Sequence, residues 1–117
     1  MKSGDIVYVD LAGKGTEQKG IHPAIILKFI QGTPLAIVVP LTTNLDVWGK
    51  FGMTYLIQKS DKNGLKADSV AQVFQINSCS TSRFQPDFTG QIKVLGTVSD
   101  DDRKAIESII REQMKFP

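Results

Sequence analysis

The sequence predicts an α+β fold in which five to seven closely spaced strands curl into one small sheet and a single helix follows. Three observations carry that expectation. Short runs rich in Val, Ile, Tyr and Thr recur between residues 5 and 97, separated by turns containing Gly, Pro and Asn. Helical periodicity appears at the end, where Ile106, Ile109, Ile110 and Met114 fall on one face. No internal repeat or low-complexity linker interrupts the 117 residues, so one domain over 1–117 is expected.

Taken in order, Asp5 to Leu11 (DIVYVDL) reads as the first strand, with Gly4 as the turn before it. Ala12 to Gly20 is a polar, Gly-rich loop, too long for a tight hairpin and therefore a candidate functional loop. Pro23 to Ile30 is a second strand, opened by a proline that forfeits only an early ladder bond. Leu35 to Leu41 (LAIVVPL) is apolar on both faces and belongs mid-sheet, with Pro40 marking a bulge or an edge position near its end. Asp46 to Phe51, which holds the sole Trp48, reads as a mobile loop. Met53 to Gln58 is a strand, and Lys59 to Gly64 a turn with Asn63-Gly64 as its hairpin signal. Ser69 to Ile76 alternates as one strand, Asn77 to Arg83 is a polar loop, and Gln91 to Thr97 is a short strand. Ser99 and Asp102 make an acidic form of the capping box, and Asp100 to Asp102 suit the positive end of the helix dipole.

Composition excludes several classes of function. A single cysteine, Cys79, allows no disulfide framework, and with one histidine it leaves no transition-metal set. No cofactor is expected. The net charge of +2 is mild, so any surface for nucleic acid must come from local clustering. The start MKSGDIVYVDL lacks the pattern of a signal peptide, and no apolar run approaches the ~20 residues needed to span a bilayer. A cytoplasmic location without membrane contact is the expectation.

Each candidate for chemistry has a plain structural alternative. His22 has a side chain suited to moving protons near neutrality, but a half-buried histidine before a proline needs no such role. Thr42 and Thr43, with Asn44, can donate to a phosphate, or can satisfy the backbone at a strand end. Glu17 and Gln18 can read a base edge or simply be solvated. Lys14, Lys19, Lys50 and Arg83 can form a diffuse phosphate-binding face. Trp48 and Phe51 can stack on unpaired bases, or close one end of the core. No P-loop, dinucleotide fingerprint or Ser-His-Asp signature occurs.

The order GDIVYVDL, GTEQKG, HPAIIL, AIVVPLTTN and ADSVAQVFQI, closed by an acidic-capped helix, resembles the MazF/PemK (Kid) toxins of toxin–antitoxin modules. The likeness runs over nearly the whole chain. It implies a strongly curved antiparallel sheet of SH3-like barrel type with a C-terminal helix, working as a homodimer. It also implies sequence-selective, metal-independent cleavage of single-stranded mRNA by the RNA's own 2′-hydroxyl. A cognate antitoxin is the implied partner, with DNA contacted only through the antitoxin complex. By this resemblance Gly15, Thr16, Glu17, Gln18 and Gly20 match the family's GSEQ-G loop, Thr42 its catalytic threonine, Gln75 the glutamine of its D-Q pair, and Arg83 a groove arginine. Thr43, next to Thr42, joins the expected substrate-binding set.

Three positions depart from the family's pattern. Its R-P dipeptide, which carries a principal catalytic arginine, is here His22-Pro23. The acidic member of the D-Q pair is Phe74, and a basic residue two positions after the glutamine is Asn77. His22 and Thr42 are therefore the expected catalytic residues, with His22 standing in for the arginine. The alternatives are a catalytically degenerate module that keeps its antitoxin groove, and a gyrase poison like the CcdB toxins. The latter act through the end of the terminal helix, typically with a Trp that Met114 to Pro117 lack.

Overall fold

The computed structural model describes residues 1–12 and 19–114. Among these, seven strands and two helices follow in chain order: β1 (Asp5–Ala12), β2 (Lys19–Ile30), β3 (Leu35–Thr42), α1 (Asp46–Lys50), β4 (Thr54–Ile57), β5 (Ser69–Gln72), β6 (Asn77–Ser80), β7 (Val94–Thr97) and α2 (Asp100–Gln113). All strand pairs are antiparallel, in the order β4-β5-β3-β2-β1-β7, with β6 paired to β3 off that path. This is the α+β class that the strand runs and the terminal periodicity predict.

β3 belongs to two sheets. On one side it pairs with β2 from Leu35 to Pro40. On the other, β6 covers Leu35–Val38 and β5 takes over at Leu41–Thr42. Val39 and Pro40 fall in the gap between those partners, where a residue without an N–H forfeits nothing on that side. Pro40 thus marks a hand-over between sheets, and the bulge sits elsewhere: the β2–β3 register shifts between Ile26 and Lys28, leaving Leu27 as the extra residue.

Pro23 lies inside β2, opposite Tyr8, because the strand starts four residues earlier than the sequence suggests. The proline is tolerated for the same reason as Pro40. The Tyr8 carbonyl points away from β2 and accepts from the Gln85 N–H at 2.8 Å, so Tyr8 and Pro23 form a non-hydrogen-bonded pair. The nitrogen of Pro23 then faces the β3 side, where pairing begins only at Ala24.

Beyond β6 the chain returns to β1 through a bridge between Phe84 and Val9. β1, β2, β3 and β6 are thereby closed into a small barrel whose interior holds Val7, Val9, Ile26, Val38, Cys79 and Phe84. The opposite face carries Ile6, Ile25, Val39, Leu41 and Ile57, which pack with Ile106 of α2. Both faces of β3 are buried, as its unbroken apolar run requires. Buried Asp5 fastens β7 to β1 by accepting from the Thr97 hydroxyl at 2.7 Å and from the Lys2 N–H at 2.9 Å.

Four local expectations are corrected. Asp46–Lys50 is a short helix and not a loop, because the Asn44 carbonyl and side-chain oxygen accept from the Val47 and Asp46 N–H groups. Ser69 to Ile76 is not one strand: after Gln72 it turns as a 3-10 helix over Val73–Gln75, which moves the chain from β3's second sheet to its first. Asn77 to Arg83 is not a loop but β6 followed by a 3-10 turn over Thr81–Arg83. Asn63-Gly64 does not make a two-residue hairpin. Buried Asn63 accepts from the Ser60 and Leu65 N–H groups and donates to the Gln58 carbonyl. That organises a longer loop, which docks on β7 through the Thr97 N–H to Lys62 carbonyl bond of 2.8 Å.

The docking requires two glycines. Gly64 has φ +69, and a Cβ there would overlap the Leu95 carbonyl; a Cβ on Gly96 would overlap the Lys62 carbonyl. Gly64→Ala combines overpacking with left-handed strain and is expected to cost about 2–4 kcal/mol. A clear fall in thermal midpoint checks this, and an unchanged melt contradicts the tight docking.

At the start of α2 the Ser99 hydroxyl accepts from the Asp102 N–H at 3.1 Å. The Asp102 carboxylate instead accepts from the Tyr55 hydroxyl at 2.7 Å, tying the helix to β4. That bond, then burial, then the negative charges of Asp102 and Asp101 push the Tyr55 phenol from 10.0 up to about 12. Folding favours the protonated phenol. Its contribution to stability is complete below the ordinary value and is lost as pH rises from 10.0 through about 12. Denaturant titrations should show a steeper stability loss over that window in the wild type than in Tyr55→Phe. Equal slopes would contradict the assignment.

Candidate functional site

Two expected catalytic residues fall at the same end of the barrel. Val9, inside the barrel, pairs with His22, so His22 shares its face. Ala24 pairs with Pro40; continuing two residues along each strand brings His22 level with Thr42, on that same face. Both side chains are half-buried at the barrel's rim. The imidazole lies back along β2, its Nε2 3.9 Å from where a Cβ on Gly20 would stand. It therefore points toward the end of the strand that receives the Gly13–Gln18 segment. Glu17 and Gln18 lie outside the described residues, as does Lys14.

Thr42 has a structural task. Its Oγ1 accepts from the Asn44 N–H at 3.2 Å, closing the turn that leads into α1. A hydroxyl that accepts one bond retains its proton for donation, so the turn fixes the oxygen without consuming the donor.

The other expected residues are distributed around this pair. Gln75 ends the 3-10 turn between β5 and β6, beside the Val39–Pro40 step where β3 passes from β6 to β5, and so near the Thr42 end of β3. Thr43 is exposed and faces the opposite side, in a cavity of about 410 Å3 whose wall includes Tyr8, Pro23, Leu65, Lys66 and Lys93. Arg83 is exposed and immediately precedes Phe84, which bridges to Val9, the partner of His22. That puts Arg83 about two strand spacings, roughly 10 Å, from the His22 backbone.

Lys50 ends α1, which packs on β4, and Arg83 lies beside Phe84 near β1; both are exposed. Trp48 and Phe51 are 53% exposed and do not close the core. Phe51 packs on Phe74 with ring centroids 5.5 Å apart. Phe74, at the position where the resemblance implies an acid, thus serves an apolar contact. Burial pushes the Cys79 thiol above its ordinary value, against the smaller opposing effect of Arg83, and a buried neutral thiol is a core group rather than a nucleophile.

Tyr8, Lys66 and Lys93 were not among the expected site residues. The alternation of DIVYVDL does place Tyr8 opposite to Val7 and Val9, but the lysines reach the same cavity only through the Gly64–Ser69 loop and β7. Nothing local in the sequence couples them.

A family model described as "PemK-like, MazF-like toxin of type II toxin-antitoxin system" matches residues 2–114. No curated protein sequence matches. Among solved structures, MazF from Deinococcus radiodurans superposes with a TM-score of 0.75 at 15% identity, over 97% of this chain and 96% of that one. The Mycobacterium tuberculosis toxin MazF-mt6 gives 0.69 at 15% identity, over 97% and 98%. An endoribonuclease in complex with its cognate antitoxin from a mycobacterial species gives 0.69 at 17% identity, over 98% and 95%. These likenesses establish the shared fold, and the family match assigns the chain. With 113 of its residues spanned by that match (2 through 114), the chain belongs to the PemK-like, MazF-like toxins of type II toxin–antitoxin systems.

Proposed function

We propose that this protein is the toxin of its module and an endoribonuclease that cleaves single-stranded mRNA at selected sequences without a metal ion. The observation that carries the reading is the placement of His22 and Thr42 on one face at the barrel rim, each two residues past the Ala24–Pro40 pair, in a chain of this family. Structural relatives named as an endoribonuclease and as MazF toxins support it.

In the proposed reaction the RNA 2′-oxygen attacks the neighbouring phosphorus while the bond to the 5′-oxygen breaks. The products are a cyclic phosphate and a 5′-hydroxyl. One proton must leave the 2′-hydroxyl and one must reach the departing oxygen, and an imidazole can perform such a transfer. In its charged form it also offsets the negative charge gathering on the phosphorane, and the Thr42 hydroxyl donates to a phosphate oxygen. Glu17, Gln18, Thr43, Gln75 and Arg83 are proposed to hold the RNA. The working unit is a homodimer, in the cytoplasm. Its antitoxin partner is a small protein with an acidic or amphipathic disordered tail that folds over the RNA groove.

Wild type, His22→Ala and Thr42→Ala, incubated in EDTA with a long single-stranded RNA, test the assignment. Loss of the acid–base group is expected to slow cleavage by about 10²–10⁴-fold, and loss of the hydroxyl donor by about 10²–10³-fold. Metal-free cleavage that survives both substitutions would falsify this site. A wild type that binds its antitoxin yet leaves RNA intact favours the binding-module reading instead.

The charge of the site gives a separate expectation. A histidine can lose its charge near neutrality, whereas an arginine keeps its charge throughout. Wild-type cleavage should therefore depend on pH more steeply than cleavage by His22→Arg. Identical slopes in the two proteins would rule out the imidazolium as the working cation.

A further inference from the structure

We propose that the cavity of about 410 Å3 beside Thr43 receives one nucleotide of the RNA next to the cleavage point, and so helps select the sequence cut. The proposal rests on the ribonuclease reading above.

Position is the first argument. Pro23 and Thr43, the chain neighbours of His22 and Thr42, both line this cavity. The cavity therefore begins one residue of protein backbone away from the His22–Thr42 pair, at the rim a bound strand has to cross. Successive residues of a β-strand face opposite sides, so catalytic pair and cavity lie back to back across the rim.

Chemistry is the second. Tyr8, Pro23 and Leu65 give the cavity an aromatic and aliphatic wall suited to the π-face of a base, while Thr43, Lys66 and Lys93 supply donors for phosphate. None of the described residues lining it is a carboxylate. The larger cavity of about 700 Å3, beside β4, mixes Asp61, Asp101 and Asp102 with Lys59 and Lys62 and so offers a polyanion no net positive charge. Lys93 holds its ammonium over the Tyr8 ring, 5.9 Å from the centroid. A cation on that face occupies the place a stacked base would take. Its exposed, flexible stem allows it to swing aside and meet the phosphate of the entering nucleotide.

The test uses a fluorescent single-stranded 2′-O-methyl oligoribonucleotide, which lacks the attacking hydroxyl, with full-length wild type, Lys66→Ala/Lys93→Ala and Ala67→Trp. Ala67 is an exposed residue of the cavity wall, so an indole there fills the space from the rim. Melting curves confirm that each variant is folded. Removing the two lysines should weaken binding at least fivefold and reduce the slope of log affinity against log salt by about 1.4. Filling the cavity should weaken binding about fivefold or more, from lost stacking, while leaving the salt slope unchanged. Both variants should shift the distribution of cleavage sites on a long RNA while retaining the wild-type dependence on pH. Wild-type affinity and cut sites in both variants, with wild type binding and cleaving normally, overturn the cavity assignment alone. A wild type that neither binds nor cleaves RNA overturns the cavity and the ribonuclease reading together.

Discussion

The register between β2 and β3 is the constraint on which the site depends. From Ile30–Leu35 to Lys28–Ile37 the two strands pair in one register; from Ile26–Val38 to Ala24–Pro40 they pair in another, one residue apart. The extra residue is Leu27. Had the first register continued, His22 would stand level with Thr43 and not Thr42. A slip of one residue also reverses faces. The change is visible in the core: Ala24 and Ile26 point into the barrel, and beyond the bulge it is Phe29 that packs there. The Leu27 bulge thus decides which of two adjacent threonines accompanies the histidine.

The two prolines are placed by the same geometry. β3 must leave one sheet and enter another within two residues, and Pro40 fills the step where no neighbour needs its N–H. Pro23 directs its nitrogen to the side on which β3 pairing has already ended. The result is a rim at which β2 and β3 separate, with polar side chains just beyond the fully buried stretches Ala24–Ile26 and Val38–Leu41. Rigid strands hold reacting groups more closely than loops do. The turn closed by Thr42 and Asn44 then leads directly into α1, so one hydroxyl both ends a strand and faces the rim.

Much of the architecture was legible because it rests on periodicity and composition. The apolar run of β3 predicted a strand buried on both faces, and Ser99 predicted the start of α2, though the reciprocal half of the capping box is replaced by the Tyr55–Asp102 bond. What failed depended on distant partners. α1 has no apolar stripe of its own and forms because Asn44 satisfies its first N–H groups. Ser69 to Ile76 alternates well enough for a strand, but the passage from one sheet to the other breaks it at Val73. Asn63-Gly64 has the composition of a hairpin turn and is used for docking against β7 instead. For the site, residue types pointed to His22 and Thr42, while their alignment depends on a bulge that no local signal announces. The cavity joining Tyr8, Lys66 and Lys93 was invisible for the same reason.

A double-mutant cycle on RNA cleavage reads whether His22 and Thr42 act on the same phosphate. Groups that serve one transition state together are strongly non-additive, whereas independent sites add to within about 0.3–0.5 kcal/mol. Shared action on one phosphate makes His22→Ala/Thr42→Ala scarcely slower than the slower single variant, a coupling of about 1 kcal/mol or more. Single effects that simply sum would mean that the two residues do not share a reacting group, and the register that aligns them would carry no catalytic meaning.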